Sequence, residues 1–228
     1  MNNEQFRAFL RAANTWQGQE LLAFTGASKA ETTWRRWWKN PSHLLWWLDE
    51  SGVVSKQQLV LLACGFVRYT PLADGGRTVW DIMYDERSIT AVEVCERWAN
   101  GQDVAKEEIV LAALEAQEAQ ATLYPLWKIQ SAKAANWAAA AGRIAATSSL
   151  NDRLSTLVSW AAGAAAKAAG IQAGWEAAKK IVDNAGWQEA ARVYARAETK
   201  WWKEVEGWQC QYIRDMIPDF IEKFDKEN

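Results

Sequence analysis

Histidine is nearly absent from this chain: His43 stands alone among 228 residues. That removes the Ser-His-Asp form of nucleophilic catalysis, whose base is a histidine, and any zinc site needing two histidines. Cysteine is scarce as well. Cys64, Cys95 and Cys210 lie far apart, with no CxxC pair and no even-numbered framework, so they read as reduced, buried thiols of a cytoplasmic protein. A charge excess of one sign is also missing. The 26 basic and 28 acidic residues are spread along the chain and leave a net charge of −2, whereas general nucleic-acid binding needs a concentrated basic face. The longest uncharged stretch of the second Ala-rich region, Leu154 to Ala166, stops at Lys167 and falls short of the roughly 20 apolar residues that span a bilayer. The opening Met1-Asn2-Asn3-Glu4-Gln5 lacks the basic segment and apolar block of a secretory signal. No membrane association is expected.

Tryptophan and alanine are what the chain has in abundance. Half of the residues are hydrophobic and sixteen are Trp, enough to bury a sizeable core. Trp brings a large apolar area but an indole N–H that wants a partner, so it favours core edges and interfaces.

Helix start and stop signals recur through the first half. Ser28-Lys-Ala-Glu31 has the capping-box form and predicts a helix from about 28 to 39. Asn40-Pro41 reads as N-cap and first helical position of a second helix, ending at Ser51-Gly52. Ser55-Lys-Gln-Gln58 repeats the box ahead of Leu59, Leu62 and Phe66, and Asp85 caps a helix that Gly101 stops. Another helix is expected from about Asp103 to the Tyr124-Pro125 break. Between them, Pro71-Leu-Ala-Asp-Gly-Gly-Arg77 carries the strongest turn chemistry in the chain.

From Trp127 onward the composition shifts to Ala with scattered Trp. Alanine combines high helix propensity with close backbone approach, which predicts two or three long, tightly packed helices, a turn at 148–152 and a bend near Asn184-Ala-Gly186. No strand alternation persists. The expectation is one all-α domain over 1–228, a multi-helix bundle with short helices and the Gly-rich loop in 1–125 and long Ala/Trp-rich helices in 126–228.

Motif chemistry is thin. His43, in a first helical turn, reads as a surface or capping residue. Asp74-Gly75-Gly76-Arg77 lacks both the Walker spacing and G-x-G-x-x-G, though its N–H groups suit a small anion nest helped by Arg77. Asp81, Asp85, Glu86 and Arg87, with Arg68 and Arg77 upstream, form the densest charged cluster. It reads either as a bracing and capping set or as a binding surface. Trp34, Trp37, Trp38, Trp46 and Trp47 with Arg35 and Arg36 offer a core, or an aromatic and basic patch. Adjacent Trp37/Trp38 and Trp46/Trp47 point in different directions from a helix, which places at least one of each pair near the surface.

The segments Leu62-Ala-Cys-Gly-Phe-Val-Arg68, Thr70 to Asp81, Asp85 to Gly101 and Gln211-Tyr-Ile-Arg-Asp-Met-Ile-Pro218 resemble a family of all-helical immunity proteins of polymorphic toxin systems, found in bacterial and phage genomes. The likeness covers roughly residues 55–218; the Trp-rich opening third departs from it. The resemblance implies a non-enzymatic protein that neutralises a toxin or host defence effector, in the host-cell cytoplasm if phage-encoded. No cofactor and no metal are expected.

The binding surface expected from the residues is Arg68, Asp74, Arg77, Trp80, Asp81, Asp85, Glu86, Arg87 and Trp98. The aromatic and basic members of that set fit a second reading, a sponge that sequesters a nucleotide-like signalling molecule. A third, an oligomeric virion component, rests on Ala-rich helices that pack between chains and leaves homo-oligomerisation open.

Overall fold

The computed structural model describes residues 3–13, 15–25, 29–37, 40–122, 126–147 and 154–227. Among the described residues the chain forms helices α1 (Asn3–Ala12), α2 (Trp16–Thr25), α3 (Ala30–Arg36), α4 (Pro41–Ser51), α5 (Lys56–Tyr69), α6 (Glu86–Ala99), α7 (Lys106–Thr122), α8 (Leu126–Thr147), α9 (Leu154–Lys179), α10 (Val182–Met216) and α11 (Phe220–Glu227), with a 3-10 turn at Trp80–Ile82. The fold is all-α, as the sequence predicts. Helices α8, α9 and α10 run to 22, 26 and 35 residues, against 17 at most before them.

Local chemistry sets most of the boundaries. The Asn40 side chain accepts from the Ser42 N–H ahead of Pro41, and Gly52 ends α4 at φ 68°. Ser55 and Gln58 close a reciprocal capping box on α5, and Asp85 accepts the Arg87 N–H to start α6. The bend in α10 falls at Gly186, whose φ of 74° interrupts the helical backbone. The helix expected from Asp103 starts three residues later, at Lys106. Three expected features lie outside the described residues: the Ser28 cap, the Tyr124-Pro125 break and the 148–152 turn.

Helix α9 is the hub, flanked by α4, α5, α8 and α10. It buries residues around its whole circumference, among them Leu157, Val158, Ala161, Ala165, Ala168 and Ile171. A helix apolar on all sides has to sit inside. Its small side chains let α10 close in: a Cβ at Gly174 would come within 2.8 Å of the Tyr194 ring. One contiguous apolar cluster runs from Phe6 to Phe224.

Trp34, Trp37, Trp46 and Trp47 belong to that cluster, contrary to an exposed aromatic and basic patch, while Trp16 stays 58% exposed. Trp34, Trp37, Trp46 and Trp47 are all buried, and Trp38 lies outside the described residues. Trp46 and Trp47 do point in different directions, yet both directions are covered. Trp47 packs on Phe6, Trp34, Phe220 and Phe224, while Trp46 meets Phe9. His43 is equally misread as a surface residue. Its side chain is 1% exposed, between the rings of Trp16 and Trp37 at 4.9 and 4.8 Å.

Candidate functional site

The Gly-rich loop between α5 and the 3-10 turn is closed by its own hydrogen bonds. Val79 N–H donates to Thr70 O and Leu72 N–H to Arg77 O, each at 2.9 Å. Gly75 takes the reversing position at φ 75°, a conformation that suits a residue without Cβ. The loop is the turn its sequence predicts, and the anion nest offered as an alternative is filled from within. The Asp74 carboxylate accepts the Gly76 and Arg77 N–H groups at 3.2 and 3.1 Å and the Arg77 Nε at 2.6 Å. Desolvation pushes the Asp74 carboxyl up, but the Arg77 and Gly76 hydrogen bonds together outweigh it and hold it below its ordinary value.

The other expected site residues are likewise satisfied close to home, and they divide into separate groups. Asp81 accepts the Thr78 N–H at 2.7 Å and its hydroxyl at 3.1 Å. Asp85 receives Arg87 through two nitrogens at 3.0 and 2.8 Å, and that hydrogen-bonded pairing lowers the Asp85 pKa. Arg87 also donates to Thr122 Oγ1 at 3.1 Å, tying α6 to α7. Glu86 is exposed in the first turn of α6, where its charge favours the helix N-terminus. Arg68 lies 3.8 Å over the Trp80 ring and donates to Glu96 at 2.6 Å. Trp98 packs half-buried against the core.

Arg68, Arg77 and Arg87 therefore serve three different places. Arg68 lines a cleft with Tyr69, Glu96 and Tyr212, Arg77 lines a groove against α9 and α10, and Arg87 bridges two helices.

The groove holding Arg77 has a volume of about 430 Å³. Ala173, Ala177 and Ala197 line it with apolar surface, and Glu176, Lys180, Lys200 and Glu204 bring charge from the long helices. Trp201 fixes the loop above it, donating from its indole N–H to Pro71 O at 3.2 Å. Six charged side chains, three of each sign, surround this space. It suits a ligand that carries both charges, or a mixed protein surface, better than a polyanion.

At the bend of the same helix pair, Trp175, Ala178, Trp187, Ala190, Ala191 and Tyr194 form an apolar ledge. Trp187 is 79% exposed and Trp175 46%, and Trp175 meets Tyr194 edge-on at 5.7 Å. Neither surface was legible as a site from sequence. The groove joins residues about a hundred positions apart, and the spaced Trp175, Trp187 and Trp201 read only as biased composition. Their one local signal was Gly186, which turns Trp187 outward at the start of a new helical segment.

Among the described residues no three His, Cys, Asp or Glu side chains converge as a metal-ligand set, and no helix is long and apolar enough to cross a membrane. Comparison with known protein families, with curated proteins and with solved structures finds no match to this chain.

Proposed function

We propose that this chain is a non-enzymatic binding protein of the immunity or anti-defence type, acting in the cytoplasm by holding a protein toxin or defence effector. The observation that carries this reading is the ledge of Trp175, Trp187 and Tyr194 at the α9–α10 bend. Large aromatics kept in water on helices are costly unless something covers them, and Trp is the residue most enriched at the energetic centre of protein interfaces. The adjoining helix pair is closely packed, with Gly170 and Gly174 of α9 against Glu198 and Tyr194 of α10, so it offers a rigid platform that loses little entropy on docking. The likeness of residues 55–218 to immunity proteins supports the same role.

Native mass spectrometry tests it, on protein purified from cells that express active toxin or signalling defence systems. The expected result is a retained protein partner whose mass disappears when Trp175→Ala and Trp187→Ala are combined. Truncating an interface anchor typically costs about 2 kcal/mol or more, a loss of roughly 30-fold in affinity. A partner held equally well by the double variant refutes the ledge.

The mixed-charge groove favours a second reading, a sponge for a small molecule that carries both charges in place of a nucleotide-like polyanion. A retained adduct of a few hundred daltons, lost in Arg77→Gln and Lys200→Gln, would establish it in place of the first.

A further inference from the structure

Between α7 and α8 lies a cleft of about 320 Å³ lined by Ala113, Gln117, Gln120, Asn136, Trp137, Ala140 and Arg143. We infer that it is a binding site for a small hydroxyl-bearing acid, such as a sugar phosphate or sugar carboxylate, with Arg143 holding the anion. This site is independent of the protein-binding surface on α9 and α10.

The two helices build the cleft from matched stripes. Positions 113, 117 and 120 on α7 and 136, 140 and 143 on α8 each follow i, i+4, i+7 spacing, which places each set on one face. The helices run antiparallel, because Asn136 Nδ2 donates to Gln120 Oε1 at 2.8 Å while Ala113 and Arg143 line the other end. Seven residues at the helical rise make the cleft about 10 Å long.

Arg143 is the anomaly in this cleft. Its side chain is half-buried, and among the described residues its guanidinium has no ion-pair or hydrogen-bond partner. The cleft has no carboxylate in its lining. Four other arginines that are half-buried or exposed give the contrast. Arg68, Arg77, Arg87 and Arg97 all have a carboxylate within 2.8 Å. A fork of donors facing a cleft without an acid matches the oxygens of a phosphoryl or carboxyl group.

The other lining groups select the body that carries the anion. Gln117 adds an amide beside the Arg143 end. Gln120 keeps its N–H donors and Asn136 its carbonyl once their mutual bond is made, and such paired donors and acceptors suit hydroxyls. Trp137, whose ring also meets Trp160 at 4.6 Å, supplies an apolar wall against which the C–H face of a sugar can lie. The small Ala113 and Ala140 leave the room that the ligand fills.

The test is a titration of isotope-labelled full-length protein with ribose phosphate, glucuronate, glucose and inorganic phosphate, read at the Arg143 Nε–H and Trp137 indole resonances. Ribose phosphate or glucuronate should give saturable shifts at both positions, and their relative affinities tell a phosphoryl from a carboxyl ligand. Glucose and inorganic phosphate, each lacking half of the recognition, should bind at least about tenfold more weakly, the scale of one charge-assisted hydrogen bond. Arg143→Gln should abolish the shifts at Trp137. Ala113→Leu, which fills the cleft without touching a charge, should abolish them too and guards against a folding effect of the first variant. The inference is overturned if neither acid shifts Trp137 up to about 10 mM, ten times above a millimolar constant. It is equally overturned if binding survives in both variants.

Discussion

Arg214 reaches across 180 positions of sequence to donate from Nε to the backbone carbonyl of Trp34 at 2.6 Å, and it donates again to the carbonyl of Trp37. It is 9% exposed, and the last carbonyls of α3 stand in for the carboxylate that a buried guanidinium ordinarily demands. A cation at a helix C-terminus meets both the unsatisfied C=O groups and the negative end of the helix dipole. Near the end of α10, this one side chain fastens the short helix α3 to the long one.

Removing it should therefore cost more than a surface change. Arg214→Met keeps most of the stem but leaves buried carbonyls unpartnered, and each such group costs about 1–3 kcal/mol. The midpoint of urea unfolding should fall accordingly with little change in slope. Arg35→Met, at an exposed i, i+4 ion pair with Glu31, should leave it almost unmoved.

Gly174 answers to packing in the same way. A methyl group there meets the Tyr194 ring at 2.8 Å and the Tyr194 carbonyl at 3.1 Å, so Gly174→Ala should destabilise by about 1–3 kcal/mol through overpacking. Calorimetry checks the size. A melting temperature raised by the substitution would show that helix propensity outweighs the clash.

His43 should make stability depend on mildly acidic pH. Burial lowers its pKa below the ordinary 6.5, against the opposing pull of Glu20, with Glu20 Oε2 at 3.2 Å from Nε2. The unfolded chain therefore takes up the proton first. The stability contribution is complete above the unfolded value and is lost as pH falls from there through the folded value. Unfolding free energies measured from neutral pH downward should decline for the native chain and decline less for His43→Gln. Asp74 and Asp85, held below the ordinary 3.8, are stabilising above that value and lose their contribution only at more acid pH.

The three thiols should be inert in the folded state. Cys64, Cys95 and Cys210 are all buried and unbridged, and desolvation pushes Cys95 and Cys210 up to about 12 and raises Cys64 strongly as well. Iodoacetamide at mildly alkaline pH should leave the native mass unchanged and add three labels after denaturation, because only the thiolate reacts. Rapid native labelling would contradict the burial.

Much of the helical framework was legible from neighbours in sequence. Asn40-Pro41, Ser55 with Gln58, and Asp85 act within one turn, so each cap could be read without knowing the rest of the fold. Gly186 needed only its own freedom at positive φ to bend α10. Candidate site residues gave a weaker reading. Asp74, Asp81 and Asp85 looked like a cluster because they are close in sequence, but each finds its donors within three residues, so they act as separate turn and cap locks.

Sequence by itself determined that the chain is helical, where several helices begin, and that its Ala-rich half packs closely, since caps and propensities act over a few residues. Only the tertiary structure decided which aromatics are hidden. The rule that Trp46 and Trp47 face different ways was right, but whether either way leads to water depends on how α1, α2, α3 and the distant α11 pack over them. The same long-range packing buried His43, left Trp187 in solvent, placed Lys180 and Lys200 beside Arg77, and left Arg143 facing a cleft without an acid.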